Sequence, residues 1–432
     1  MIFIYYGLMC LAHIICTPLL LLLICKQKYR QSIPYRFFFP KNYSKKKFEI
    51  WIHACSFGEI SSLQTLIQSI PNQKKIFLSV ITQTGFAQAH KLYGNMSNLT
   101  ISYLPFETLL PFFAPKCEKL FVLEAELWLM LFAYAKRNQA QVKLINARIS
   151  TRSFGRYLKL KFFYNYLFNF VDITLAQSND DKMRLESLGA QHISIMGNIK
   201  ATNPIMTTKH YKKPQRLIIV AASTHANEEE CILESFKTLQ HYWANQDSHT
   251  QCNDSFDLSA NNKKYNCNTN YLHNKTKSEH IAKDSNGALF IIVPRHPERF
   301  DEVYMLCCNY FKTLRLSHIT NQSFINFDNL DCELLLIDTM GELINLYAIS
   351  DIVILGGAYA KVGGHNPLEV AAFHNILLSG KEIFNQRTLF ECIENYYLSE
   401  CREIGTILKQ YKQLHIAKIS STNNDMIKEI LA

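Results

Sequence analysis

The sequence predicts an α/β protein: two consecutive open sheets of parallel strands, preceded by an apolar helix that anchors the chain to a membrane. Three observations lead there. The first 25 residues carry no charged side chain. From about residue 48, short β-rich runs alternate with helical patterns, the signature of parallel βαβ units. The alternation pauses in polar, Pro-containing sequence near residues 200–213 and then restarts. With 48% apolar and 19% charged residues in 432, the chain has ample material for two cores.

Taken in order, Met1 to Cys25 is long enough for a bilayer-spanning helix, which needs about 20 apolar residues. Basic residues follow the apolar run instead of preceding it, and no small-residue cleavage site is evident, so an uncleaved single-pass anchor is expected. Lys26, Lys28, Arg30, Arg36, Lys41, Lys45, Lys46 and Lys47 then form a block without an acid, which supplies most of the net charge of +10. An anionic membrane surface is its expected partner, with the block and all that follows on the cytoplasmic side. No nucleic-acid-binding module is visible, so no nucleic-acid partner is expected.

Strands are predicted over 48–54, 75–82, 120–123 and 142–146, with helices over 56–70 and from about Gly85. In the second half, strands are predicted over 216–222, 289–293, 334–337 and 352–355, with a helix over 227–242. Residues 245–287 are rich in Asn, Lys, Ser and Thr without a period, which reads as a low-complexity insertion. Thirteen cysteines show no C-x-x-C pair, so neither a disulfide framework nor a zinc site is expected, and the thiols are read as reduced.

Several segments at strand ends carry chemistry. In His53–Glu59, Glu59 at the first turn of a helix suits general-base work, and Gly58 allows close approach of a ligand. The same Ser56-x-x-Glu59 spacing also fits a capping box in which Glu59 bonds the backbone of Ser56. Glu124 and Glu126 end an apolar strand, and alternation places both on one side of it. Such acids are solvated, paired (Arg148 is a partner) or functional. Arg148 and Arg152 lie four apart beyond the next strand, and their guanidinium forks match carboxylates and phosphates. Lys200 lies just before the linker. Pro294-Arg295-His296 closes a strand of the second half. Thr339-x-x-Glu342 fits another capping box, which exposes the amides of Met340 and Gly341. Gly363-Gly364 enters a helix with Asn366 as N-cap, Pro367 at its first position, then Leu368 and Glu369: a phosphate cradle, or simply a well-capped helix. No Asp-x-Asp motif occurs, which favours a transferase that needs no metal and no cofactor.

Together HACSFGE, VLEAELW, NARIS, GNIK, AASTH, VPRHPERF, DTMGEL and GGHNPLE resemble, in order, the motifs of the Kdo (3-deoxy-D-manno-octulosonate) transferase family of lipopolysaccharide synthesis. The resemblance implies a GT-B fold, two Rossmann-like domains facing an interdomain cleft. It divides the chain into an anchor (1–25), a basic juxtamembrane segment (26–47), an acceptor-binding domain (48–205), a CMP-sugar-binding domain (206–400) and a C-terminal helical segment (401–432). It implies inverting, metal-independent transfer of Kdo from CMP-Kdo to a lipid A precursor, lipid IVA, at the inner membrane. By motif, Glu59 would be the general base, and Glu124 and Lys200 would stabilise the transition state. Pro294, Arg295, Met340, Gly341, Glu342, Asn366, Pro367, Leu368 and Glu369 would bind CMP. Ser56, Gly58, Arg148 and Arg152 are added as Kdo or acceptor contacts. Phe57, Ala125 and Gln83 depart from the family's usual letters without removing a proposed catalytic group. The rival readings are another GT-B enzyme using a different nucleotide sugar on a lipid, a catalytically dead scaffold, and a glycoside hydrolase built on Glu124 and Glu126.

Overall fold

The computed structural model describes residues 1–249, 287–319, 325–420 and 423–432, and the chain divides into two compact units, Met1–Pro204 with Thr422–Ala432, and Ile205–Ser421. Most of the expected insertion, 250–286, lies outside the described residues.

The first unit opens with helix α1 (Ile2–Ile24), long and apolar enough to cross a membrane and with none of its apolar window buried, so it is not a core helix. The Tyr5 hydroxyl donates to Glu107, the Tyr6 hydroxyl to the Thr108 carbonyl at 2.8 Å, and His13 Nδ1 pairs with Thr108 Oγ1 at 2.8 Å. These contacts tie one side of α1 to the unit. Its other side presents Phe3, Ile4, Ile15 and Leu22 to the surroundings.

Seven parallel strands follow: β1 (Lys47–His53), β2 (Ile76–Val80), β3 (Leu99–Tyr103), β4 (Lys116–Leu123), β5 (Gln141–Ala147), β6 (Ile173–Ala176) and β7 (Ile193–Ile195), in the order β3-β2-β1-β4-β5-β6-β7. Both sheet faces are buried, so strand residues of either parity are apolar. Trp51, Leu120, Val122 and Leu144 serve one core; Ile50, Ile52, Phe121 and Ile145 serve the other. The second core is completed by the last helix, Asn423–Leu431, through Met426, Ile427 and Ile430. Lysines from two strands bond its final carbonyls: Lys119 Nζ reaches Leu431 and Ala432 (2.6 and 2.8 Å), and Lys143 Nζ reaches Glu429 and Ile430 (3.2 and 3.1 Å).

The second unit contains β8 (Leu217–Thr224), β9 (Ala288–Pro294), β10 (Thr313–Arg315), β11 (Leu334–Leu336), β12 (Ile352–Leu355), β13 (Ile376–Gly380), β14 (Ile393–Glu394), β15 (Tyr396–Ser399) and β16 (Lys418–Ile419). Its parallel sheet runs β10-β11-β9-β8-β12-β13-β15, and β14 pairs antiparallel with β16. In each unit the order of connection reverses once, between β1 and β4 and between β8 and β12. Open α/β sheets bind ligands beyond the strand ends at such switch points.

Three expectations are corrected. The helix over 56–70 is two short ones, α2 (Phe57–Ser62) and α3 (Gln64–Gln68), because the Ser62 hydroxyl bonds back to the Glu59 carbonyl at 2.7 Å, a contact that bends helices. Cys231 and Cys401 form a disulfide across 170 residues, joining the helix Glu229–His249 to the segment Cys401–Glu403. Tertiary packing, invisible in cysteine spacing, brings them together. Arg36 is not a surface charge of the basic block. It is buried, its Nε donates to the Leu104 carbonyl at 3.1 Å, and burial pulls its pKa down to about 10.

Candidate active site

The loop leaving β1 carries Cys55 to Glu59. Ser56 is extended and caps α2, with its Oγ accepting from the Glu59 amide at 3.4 Å. The Glu59 carboxylate does not reach back to the Ser56 amide as the capping box predicts. It accepts from the Cys55 amide at 2.8 Å and the Ser56 hydroxyl at 2.7 Å, and it is only 9% exposed. The chain is pinned one residue earlier than a capping box requires. Gly58 is exposed, and a Cβ there would meet nothing within 4 Å.

Beyond β4, Glu124 adopts a left-handed backbone with φ of +51°, and its amide still bonds the Ile145 carbonyl at 3.0 Å. A non-glycine residue held there costs about 1–3 kcal/mol, and such strain gathers at functional sites. The strand has already ended, so strand alternation does not set the directions of Glu124 and Glu126. The turn brings both toward Glu59 instead. Burial, then the Glu59 charge, push the Glu124 carboxyl up, while Arg148 and Lys200 pull it back. Burial likewise raises Glu126, which accepts from the Trp128 indole at 2.8 Å.

The end of β5 and the turn after β7 hold Lys200 in place. Asn146, buried with φ of +52°, accepts from the Ile199 amide at 3.0 Å, and Asn198 accepts from the Lys200 amide at 3.0 Å. Glu59, Glu124, Arg148 and Lys200 therefore meet at the switch point of the first sheet. Arg152 does not join them; it is exposed on the helix Thr151–Lys159. Sequence reasoning missed two neighbours. Arg36 stands close enough to Cys55 and Glu126 for their charges to bear on it. His53, fully buried, shares a proton with Ser79 Oγ at 2.9 Å through Nδ1, and its Nε2 lies 4.0 Å from Glu126. Among the described residues, one group could hold a metal: the side chains of Cys55, Glu59 and Glu126 offer ligand atoms within 4.8 Å of one another. Burial and the two carboxylates push the Cys55 thiol up to about 12, so no thiolate stands ready there.

At the switch point of the second sheet, the buried Glu228 joins two loops. It accepts from the amides of His225 (2.7 Å), Gly357 (2.8 Å) and Ala360 (3.1 Å). A Cβ on Gly356 would stand 2.5 Å from the Glu228 carboxylate, so only glycine fits. His225 and His365 meet through their Nε2 atoms at 2.9 Å, and His296 packs edge-on against His225. Burial, then His225 and Arg295, pull His365 down to about 4. Arg295 is exposed, and its charge reaches both these histidines and Glu369. Asn366 accepts from the Leu368 amide at 3.1 Å and donates to Glu369 at 2.9 Å, as its capping role predicts, although the helix itself begins after Pro367, at Leu368. Burial raises the Glu369 carboxyl.

Near Met340–Glu342 the expected capping box does not form. Glu342 accepts instead from Lys209, from the Tyr211 hydroxyl at 2.8 Å and from Asn345 at 3.1 Å. Burial would raise its carboxyl, but these donors hold it below the usual carboxylate range. It buckles the start of the second unit to the sheet. Met340 is exposed and Gly341 has φ of +88°. The helices here, Leu343–Tyr347 and Leu368–Ala371, are five and four residues long, too short for a large dipole. The exposed guanidinium of Arg295 puts a positive charge beside these loops.

A family described as 3-deoxy-D-manno-octulosonic-acid transferase (kdotransferase) matches residues 31–203. A 3-deoxy-D-manno-octulosonic acid transferase of Haemophilus influenzae is 30% identical over 406 residues, covering 88% of this chain and 83% of that one. A bifunctional glycosyltransferase/methyltransferase of Fusobacterium nucleatum is 29% identical over 350 residues, covering 77% of this chain, which spans 47% of that protein's length. Among solved structures, a UDP-N-acetylglucosamine 2-epimerase aligns with a TM-score of 0.52 at 11% identity over 89% of this chain and 95% of that one, a likeness of fold: two Rossmann-like domains of GT-B type.

Proposed function

The chain belongs to the 3-deoxy-D-manno-octulosonic acid transferase family, a glycosyltransferase of GT-B type acting with a nucleotide-sugar donor, and on that premise we propose that it moves Kdo from CMP-Kdo onto a lipid A precursor, lipid IVA, with inversion and without a metal. The observation that carries the proposal is the gathering of Glu59, Glu124, Arg148 and Lys200 at one switch point.

Glu59 takes the proton of the acceptor hydroxyl. Its two donors fix the carboxylate while leaving lone pairs on both oxygens for that proton. As the new C–O bond forms at the anomeric carbon, the bond to the CMP phosphate breaks from the opposite face and the phosphate keeps the electron pair. Lys200 and Arg148 offset charge on the Kdo carboxylate, with Glu124 set among them. In the second unit Arg295 meets the phosphate. Glu369, oriented by Asn366, accepts from the ribose hydroxyls, and the backbone of Pro294, Met340–Gly341 and Pro367–Leu368 shapes the remaining contacts. Glu342 supports this site through the buckle it makes. Helix α1 and the surface lysines of the basic block hold the first unit at the inner membrane, with both units on the cytoplasmic side.

The test is transfer by purified protein from CMP-Kdo to lipid IVA, read by mass spectrometry of the lipid. Glu59→Gln is expected to lower the rate by a factor on the order of 100 or more while CMP-Kdo still binds. Transfer by this variant at the wild-type rate removes Glu59 from the chemistry. Competition by CMP and none by UDP separates this donor from that of another GT-B enzyme.

A further inference from the structure

Beside the carboxylate cluster the first unit holds a cavity of about 350 Å³, lined by Gln31, Tyr35, Lys41, Phe86, His90, Ile101, Ser102 and Tyr103. Its volume lies at the small end of the range for ligand sites, room for one sugar ring rather than a whole lipid. The Tyr103 ring stacks on Phe86 at 4.4 Å and lies parallel to Tyr35 at 6.0 Å. Tyr103 is 5% exposed, and its hydroxyl finds no hydrogen-bond partner, an uncommon state for a buried polar atom. The lining contains no acid. Its two basic side chains, Lys41 and His90, are exposed and make no ion pair among the described residues.

Both walls lead directly to the chemistry. Phe86 follows Gly85, whose Cβ position lies 3.1 Å from the Cys55 carbonyl, and Thr82 at the head of α4 (Gln83–Tyr93) bonds that same carbonyl at 2.9 Å. Tyr35 precedes Arg36, which reaches toward Cys55 and Glu126. The opposite rim, Gln31 to Lys41, is the segment that follows α1. The cavity thus lies between the proposed anchor and the proposed base.

We infer that this cavity receives a phosphorylated sugar of the lipid acceptor. The ring lies against Tyr35, Phe86 and Tyr103, the Tyr103 hydroxyl bonds one of its oxygens, and Lys41 and His90 meet its phosphate. The inference rests on the acceptor reading above and deepens it, since it assigns acceptor recognition to residues that lie outside every catalytic motif.

The experiment compares wild type, Tyr103→Phe and Lys41→Ala with lipid IVA and with the same lipid after phosphatase treatment. With the phosphorylated lipid, each variant is expected to raise the acceptor KM roughly tenfold, with kcat and the CMP-Kdo KM little changed. With the dephosphorylated lipid, wild type and Lys41→Ala are expected to coincide. An unchanged acceptor KM in both variants, or an equal penalty for Lys41→Ala on both lipids, overturns the inference. So does a loss confined to sedimentation with phosphatidylglycerol vesicles, which makes Lys41 a bilayer contact only. Equilibrium binding of lipid IVA in detergent, measured without donor, separates this inference from the reaction. If wild type transfers no Kdo yet binds the lipid in a Tyr103- and Lys41-dependent way, the cavity stands and the donor assignment falls.

Discussion

At Glu59 the two contacts that finish a helix turn also fix a carboxylate, so the proposed chemical role falls on a residue with a structural one. His53, at the end of β1, carries a different consequence. Burial holds its pKa at about 3, against an ordinary value of 6.5. Between those values the unfolded chain takes up a proton that the folded chain refuses, so stability is expected to fall as pH drops from 6.5 toward 3. His53→Asn, which can keep the Ser79 bond, is expected to flatten that limb of a plot of Tm against pH; parallel curves for variant and wild type would remove His53 from the acid response. Glu59, Glu124 and Lys200 were legible because each sits beside a strand end within a recognisable motif. Arg36 was not. A buried arginine that bonds a carbonyl 68 residues away looks, in sequence, like one more lysine-rich surface charge. Arg152 erred in the opposite direction, since four-residue spacing on a helix says nothing about which way the helix faces.

Among the elements, the loops after β8 and β12 depend on one another through Glu228. Its three amide donors come from both loops, and Glu228→Ala would leave the buried Gly357 amide without an acceptor at about 1–3 kcal/mol and the part-buried His225 and Ala360 amides at less. The expected outcome is a second unit destabilised by a few kcal/mol in urea, together with weaker CMP binding, and Glu228→Gln should recover part of both. A variant with unchanged midpoint and unchanged CMP affinity would show that the loops hold themselves. In sequence Glu228 is the first of three consecutive glutamates and reads as a solvated first turn; only the return of β12 beside β8 encloses it. Strands β1, β4, β8, β9, β11 and β12, with their largely buried apolar residues, were visible as apolar runs. The half-exposed β7 and β10 were not, because three residues of mixed polarity show neither a period nor an apolar run. The helix starts expected at Thr339 and Asn366 lie a few residues further on, with Glu342 and Pro367 at the caps, and each helix stops within a turn or so, which sequence does not show.

For the molecule as a whole, the division into two α/β halves followed from the pause in alternation near residue 200, and the structure parts at Pro204 and Ile205. What sequence could not show is that the first half is finished by the last helix. Met426, Ile427 and Ile430 each bury an apolar side chain worth about 1.5–3 kcal/mol. Removing 423–432 should therefore cost the first unit roughly 5 kcal/mol, and also leave Lys143 buried without its two carbonyl partners. Calorimetry or limited proteolysis of that truncation is expected to show the first unit failing early while the second keeps its own transition. Equal loss in both would place the helix's contribution elsewhere.

That same helix imposes an order on birth. A ribosome releases residues 1–204 well before 426–430 exist, whereas most domains close as soon as they emerge. The half bearing Glu59 keeps one side of its sheet incompletely covered until the second unit has been made. A nascent chain that stalls anywhere in between lacks the three apolar side chains, Met426, Ile427 and Ile430, that close this core.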